Sequence, residues 1–250
     1  MILKEGETLQ PLGNGISVIV SKEHSFNTDT ILLANFALPI KNKNVIELGC
    51  GCGAISLILL RNNQQFNITA VEIQQNACEM FNRSIEYNNL QDKIKLINSD
   101  MNDLKDKVKF NSFDFVICNP PYKPKGTGIL NNNASKITAR HETECSLEDV
   151  IKVSKKLLKF SGKLFLCQRP ERLCDVLNSM RRENIEPKRL RFVQQRVEKA
   201  PKLFLIEGRL GGKHGGLNVL PNLIIEDENG QFSDEMKKIY GSYYTDNKKR

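Results

Sequence analysis

The sequence predicts an α/β protein: a seven-stranded, mostly parallel sheet with helices on both faces, ending in an antiparallel C-terminal hairpin. Three observations carry this expectation. Residues 45–48 form a short apolar run that passes straight into Gly49-Cys50-Gly51-Cys52-Gly53 and then Ala54–Leu60, the order strand, glycine loop, helix. Strand-like and helix-like segments then alternate from about residue 44 to 210, the pattern of crossovers between parallel strands. The apolar run Phe113–Cys118 halts at Asn119-Pro120-Pro121-Tyr122. Neither proline can donate to a strand ladder and each restricts the residue before it, so the strand stops there in a stiff turn.

Residues 8–20 carry Gly13-Asn14-Gly15 between two apolar stretches and read as a hairpin turning on the glycines. In residues 26–34, F-N-T-D-T-I-L-L-A, Asn27 or Thr28 can cap a helix with Asp29 in its first turn. A carboxylate there suits the helix dipole; Asp29 is also a candidate polar group at the mouth of a cofactor site. The second strand, residues 67–71, ends at Glu72, 19 residues beyond Gly53. A helix Gln75–Tyr87 follows, then a strand Ile94–Asn98 with Ser99-Asp100-Met101 after it. Residues 146–159 read as a helix capped by Ser146, with Glu148 and Asp149 in its first turn. Residues 162–166 are the next strand and 170–183 the next helix, with Pro170 at a starting position. Residues 189–197 and 203–207 are the final strands, and the short link between them makes an antiparallel pair. Residues 208–216, with Arg209, Lys213 and His214 among five glycines, read as a mobile basic loop, and the tail to Arg250 as frayed. With no repeat and no Pro/Ser linker, residues 1–250 read as one domain: hairpin and helix to 43, core 44–210, extension 211–250.

The chemistry sits in two places. Glycines let a backbone approach a ligand closely, and a carboxylate about 20 residues past such a loop accepts from ribose hydroxyls, the position of Glu72. Gly49, Gly51 and Ala54 also fit the dinucleotide pattern G-x-G-x-x-A, so the loop by itself leaves the cofactor open. At the other place, the Asn-Pro-Pro-Tyr turn brings the Asn119 side-chain carbonyl, a backbone carbonyl and the Tyr122 ring near one point. Two acceptors take the hydrogens of a planar NH2 group while the ring stacks on the plane that carries it. Residues 123–141 follow as a long basic loop, in which Lys123, Lys125, Lys136 and Arg140 are candidates for phosphate contact.

Composition sets bounds. Residues 1–100 hold 8 Lys/Arg against 10 Asp/Glu, and residues 101–250 hold 29 against 19, which fits a near-neutral cofactor half and a half that faces a polyanion. The seven scattered cysteines, several inside apolar segments, favour reduced thiols in a cytosolic setting. Cys50 and Cys52 are spaced C-x-C, with no second Cys/His pair at a zinc spacing, so no metal is expected. No apolar run reaches the length of a membrane span, and the first five residues turn polar too soon for a signal peptide.

Asn119-Pro120-Pro121-Tyr122 resembles the N-P-P-Y motif of class I S-adenosyl-L-methionine-dependent methyltransferases that act on exocyclic or amide nitrogens. Glu47 and the glycine loop resemble the E/D-x-G-x-G-x-G signature of the same superfamily. With residues 26–34, Ala139-Arg140-His141-Glu142 and residues 232–240 (F-S-D-E-M-K-K-I-Y), nearly the whole chain is similar to the bacterial valine-tRNA adenine-N6 methyltransferases, which modify adenosine 37. The resemblance implies a Rossmann-like class I fold and S-adenosyl-L-methionine as cofactor. It implies Asp29, Glu47, Gly49, Gly51, Gly53, Glu72, Ile73, Asp100, Met101 and Asn119 at the cofactor, with Glu47 near its methionine end and Asp100 at its adenine amino group. It makes Asn119, Pro120, Pro121 and Tyr122 the catalytic turn, and tRNA the partner. The protein is then a cytoplasmic monomer or weak homodimer that needs neither membrane nor metal.

Alternatives remain at this point. A protein glutamine N5-methyltransferase uses the same motif, but its added N-terminal helical domain has no counterpart in the 44 or so residues before the first core strand. A guanine-N2 rRNA methyltransferase is a rival of the same rank as the glutamine enzyme. A binding module without catalysis is disfavoured by the presence of Glu47, Glu72, Asn119 and Tyr122 together. A nicotinamide dehydrogenase lacks any hydride-transfer constellation.

Overall fold

Successive residues of a strand point to opposite faces of a sheet, and here each face feeds its own core. The computed structural model describes residues 3–40, 43–61, 65–120, 146–241 and 243. It opens with a hairpin of β1 (Glu7–Gly13) and β2 (Ile16–Ser21). Its turn residues Asn14 and Gly15 both take positive φ, 52° and 78°, as a tight two-residue hairpin turn requires. Then come α1 (Thr28–Ala37), β3 (Asn44–Leu48), α2 (Ala54–Leu60), β4 (Asn67–Glu72), α3 (Gln75–Tyr87), β5 (Ile94–Asn98) and β6 (Phe113–Cys118). After residue 145 follow α4 (Leu147–Leu157), β7 (Leu158–Gln168), a 3-10 turn at Pro170–Arg172, α5 (Leu173–Arg182), β8 (Ile185–Gln194) and β9 (Leu203–Leu210). Two short strands, β10 (Asn218–Val219) and β11 (Leu223–Ile224), and α6 (Asp234–Tyr240) complete the described chain.

The sheet runs β10-β8-β9-β7-β6-β3-β4-β5, with β11 also on β8. Strands β3 to β7 are parallel, and β9 is antiparallel to both β7 and β8. The seven expected strands are present, and the two-residue β10 and β11 raise the total to nine. Two residues carry no periodicity, so nothing local in the extension foretold them.

On one face, Val45, Ile68, Ile117, Phe165 and Leu205 pack with the hairpin, α1, α2 and α3. On the other, Ile46, Leu48, Val116, Leu164 and Ile206 pack with α4 and α5. The helix α1 is buried on nearly every side, from Thr30 to Ala37, because it lies against α2, β7, β9 and α6.

Three boundaries differ from the sequence expectation for identifiable reasons. The strand β7 begins at Leu158, directly after α4, because a register shift opposite Phe113 and a positive φ of 65° at Ser161 carry the ladder through a stretch with no apolar alternation. The strand β8 begins at Ile185 although it contains Pro187; a shift in pairing between Pro187 and Arg189 absorbs the missing donor. It stops at Gln194, whose Nε2 donates to the carbonyls of Arg196 and Val197 at 3.0 and 2.9 Å and turns the chain. Residues 208–216, expected as a mobile loop, are tied down. The buried Glu186 accepts from Gly215 N at 2.9 Å, and Lys188 Nζ donates to the carbonyls of Lys213 and Gly215 at 2.6 Å each.

Candidate active site

In a parallel sheet all carboxyl ends lie on one edge, and ligands bind where the strand order reverses. Here the chain leaves β3 toward β4 and β5 on one side and returns to β6 and β7 on the other. The register pairs Leu48 with Cys118, so the next residue on each strand, Gly49 and Asn119, emerges side by side. Leu48 also pairs with Val71, and Glu72 with Asn98, which brings the ends of β4 and β5 to the same edge.

The glycine turn is held by backbone donors. Gly49 N and Cys50 N donate to Val71 O at 2.9 and 3.0 Å, and Gly51 N donates to Glu72 Oε2 at 2.8 Å. Glu72 Oε1 accepts from Gln74 N at 2.9 Å. All three glycines have positive φ, 68°, 53° and 81° at Gly49, Gly51 and Gly53, a region costly for any residue with a Cβ. Their surroundings differ. A Cβ on Gly49 or Gly51 would meet nothing within 4 Å, so both border open space that a ligand can enter, whereas one on Gly53 would lie 2.1 Å from the Phe81 ring. Gly53 is therefore a packing glycine under α3, and the other two form a cradle. A cradle with a buried carboxylate at its rim fits a nucleoside-bearing cofactor.

The remaining cofactor candidates spread around this rim. Glu47 is 2% exposed and turns toward α2, where Ser56 N donates to its Oε2 at 3.0 Å and Ser56 Oγ bonds the same oxygen. Burial, with a smaller contribution from Glu72, pushes its carboxyl up to about 8. Asn98 Nδ2 donates to the carbonyls of Glu72 and Ile73 at 2.9 and 3.0 Å and ties the end of β5 to β4. The Ile73 side chain is exposed beside it. Asp100 is exposed, and its Oδ1 accepts from Asn102 N at 2.8 Å and Asn102 Nδ2 at 3.1 Å, an Asx turn. Met101 is half-buried and packs against the core under α4 and α5. Burial pushes the Cys50 thiol up and the Cys52 thiol to about 12, so neither is a nucleophile near neutral pH. The six described cysteines are all free thiols.

The Asn119 side of the candidate site is built from three distant segments. Asn119 is half-buried; its Nδ2 donates to Thr30 Oγ1 at 3.3 Å, and its Oδ1 accepts from Cys167 Sγ at 3.1 Å. Thr30 lies in the first turn of α1 next to the half-buried Asp29, and the cap of that helix is Asn27, not Thr28. Cys167 is on β7, the neighbour of β6. Pro120 is buried. Pro121, Tyr122, Lys123, Lys125, Lys136 and Arg140 lie outside the described residues. Thr30, Ser56, Asn98 and Cys167 were not singled out from sequence. Thr30 sits inside the F-N-T-D-T segment and was within reach; the other three carry no local signal. Among the described residues no group of three or more His, Cys, Asp or Glu is placed to hold a metal, and no helix is long and apolar enough to cross a membrane.

The family model of the methyltransferase small domain matches residues 19–182. The chain belongs to the methyltransferase small domain family. The chain is similar to a Shewanella woodyi protein named tRNA1(Val) (adenine(37)-N6)-methyltransferase, 24% identical over 224 residues, which span 87% of this chain and 91% of that one. A Shewanella halifaxensis protein of the same name is 28% identical over 140 residues, 56% of each chain. The crystal structure of a predicted O-methyltransferase, protein Atu636 from Agrobacterium tumefaciens, superposes with a TM-score of 0.69 at 18% identity, covering 86% of this chain and 97% of that one. At that identity the likeness concerns the fold, which is the class I methyltransferase fold.

Proposed function

We propose that this protein is a tRNA adenine-N6 methyltransferase acting on adenosine 37 of a valine tRNA. The observation that carries the reading is the pairing of Leu48 with Cys118, which sets a carboxamide acceptor beside a glycine cradle open to a ligand. The name carried by the relatives supports the nucleoside, and 29 Lys/Arg against 19 Asp/Glu over residues 101–250 suit a polyanion. The cofactor is S-adenosyl-L-methionine, which supplies a methyl group on a sulfonium centre. Gly49 and Gly51 admit it, Gly53 keeps the turn packed, and Glu72 accepts from its ribose hydroxyls. Asp29 serves its polar end, Glu47 holds the start of α2 through Ser56, and Ile73, Asp100 and Met101 border its adenine.

The chain then has one task, to hold the amine. The lone pair of an adenine amino group is delocalised into the ring and is a weak nucleophile. Asn119 Oδ1 and the Pro120 carbonyl accept its two N–H bonds, which favours a pyramidal nitrogen with its lone pair aimed at the methyl. Tyr122 stacks on the base once it has left its own stack. Position and preorganised acceptors supply the rate. Lys123, Lys125, Lys136 and Arg140 lie along phosphates. In this reading the protein is a cytoplasmic monomer or weak homodimer.

The test is transfer of labelled methyl from S-adenosyl-L-methionine to total tRNA, to rRNA and to release-factor protein, with mass analysis of the product. Label recovered as N6-methyladenosine in tRNA is expected. Label in a guanine of rRNA or in a protein glutamine would overturn the reading in favour of a sister reaction.

A further inference from the structure

A carboxamide has an acceptor on one side and a donor on the other, in nearly the same shape. If Asn119 is to accept from an amine, its oxygen and not its NH2 must face the substrate. A chain of hydrogen bonds running from a helix cap settles which of its two ends faces Thr30. The chain starts at Thr30 N, a backbone N–H that can only donate, 3.2 Å from Asn27 Oδ1. Asn27 therefore presents its oxygen there. That oxygen can only accept, so Thr30 Oγ1, 3.3 Å away, gives it the one hydroxyl proton. With its proton committed, Thr30 Oγ1 offers only lone pairs, and the side of Asn119 facing it at 3.3 Å must be the NH2. Cys167 Sγ completes the polarity by donating to Asn119 Oδ1 at 3.1 Å. Thr30 is 8% exposed and Cys167 is fully buried, so the two groups that grip the Asn119 carboxamide are shielded from water, while the Asn27 cap that starts the chain is exposed.

We infer that Thr30 is a positioning residue whose hydroxyl, polarised by the Asn27 cap, locks the Asn119 carboxamide with its carbonyl toward the amine to be methylated; this rests on the methyl-transfer reading above. The alternative is that Thr30 only packs α1 against the sheet. The two separate in steady-state and single-turnover kinetics on unmodified tRNA, with Thr30→Val, Thr30→Ala and Thr30→Ser made in the wild-type and the Asn119→Ala backgrounds. Removing the hydroxyl in Thr30→Val is expected to lower kcat about 10- to 100-fold, the scale of a misplaced reacting group. KM for both substrates should stay within about threefold, and Thr30→Ser should recover kcat to within about threefold of wild type. In the Asn119→Ala background the same Thr30→Val change should alter kcat by less than about twofold, because there is no carboxamide left to orient. Thr30→Ala, which removes the hydroxyl without adding a methyl, stands in should Thr30→Val fold poorly. Wild-type kcat in a hydroxyl-less variant overturns the inference, as does an equal loss in both backgrounds. A wild-type protein that methylates no RNA overturns the reading of the function and this inference with it; an active wild type indifferent to Thr30 overturns the inference alone.

Discussion

The two sides of the site are held by different kinds of bond. On the cofactor side, the turn from Gly49 to Gly53 is fixed by its own backbone N–H groups, which donate to the Val71 carbonyl and to the Glu72 carboxylate. On the acceptor side, Asn119 is fixed by side chains 89 and 48 residues away in sequence, Thr30 and Cys167. Backbone bonds survive most substitutions, since every residue except proline brings the same donor. Side-chain bonds depend on residue identity. The cofactor side should therefore fail mainly through changes of conformation at glycine or loss of one carboxylate. The acceptor side should fail through single atoms.

The largest effect expected is on the acceptor side. Asn119→Ala should lower the rate of transfer by roughly 2.7–4 kcal/mol in transition-state stabilisation, on the scale of a removed oxyanion-hole donor, while cofactor affinity stays close to wild type. Single-turnover activity within a few-fold of wild type would remove Asn119 from the reacting centre. On the cofactor side, Glu72→Ala should weaken S-adenosyl-L-methionine by about 1.5–3 kcal/mol, the worth of charge-assisted hydrogen bonds, or roughly ten- to a hundredfold in Kd. Calorimetry that finds the affinity unchanged would mean that Glu72 serves only Gly51 and Gln74.

The glycines divide the cofactor side further. Gly53→Ala, with a Cβ 2.1 Å from the Phe81 ring, should lose about 1–3 kcal/mol of stability through overpacking as well as strain at positive φ. Gly51→Ala, which opens on empty space, should lose only the strain, about 1–2 kcal/mol, and its cofactor affinity should suffer more than its Tm. Equal melting temperatures for the two variants would contradict the division into packing and cradle glycines.

The last effect is on pH dependence. Burial raises the Glu47 carboxyl from 4.5 to about 8, so the folded protein holds that proton more tightly than the unfolded chain does. Its share of stability is present in full below the unfolded value and is lost as pH rises through the window between the two. Glu47→Gln, which cannot titrate, should flatten the fall in stability between about pH 5 and 8. Urea denaturation at three pH values in that range checks it; parallel curves for the two proteins would place the titration elsewhere.

Local signals reached far into the fold. The hairpin, the helix Gln75–Tyr87 and the strand–glycine–helix order are each written in consecutive residues with the right period or turn chemistry. Where structure and local signal differ, the chain breaks a local rule and the sheet repairs it. Pro187 lies inside β8 because a register shift accommodates it, and the helix α4 hands over to β7 with no loop at all. Residues 208–216 looked unanchored because glycine and charge read alike in a free loop and a pinned one; the buried Glu186 that receives Gly215 N is 29 residues away.

Sequence by itself determined the class of the fold, the glycine turn and the halt at Asn119-Pro120, since each is a property of neighbouring residues: a period, a positive φ, a missing donor. Only the tertiary structure decided that Glu47 turns to Ser56, that Gly53 packs on Phe81 while Gly51 faces open space, and that Thr30 and Cys167 grip opposite ends of one carboxamide. The reason is physical. Strand register and helix placement are set by the burial of two cores taken as wholes, and which side chains then come within hydrogen-bond distance of one another is a consequence of that packing that no single segment contains.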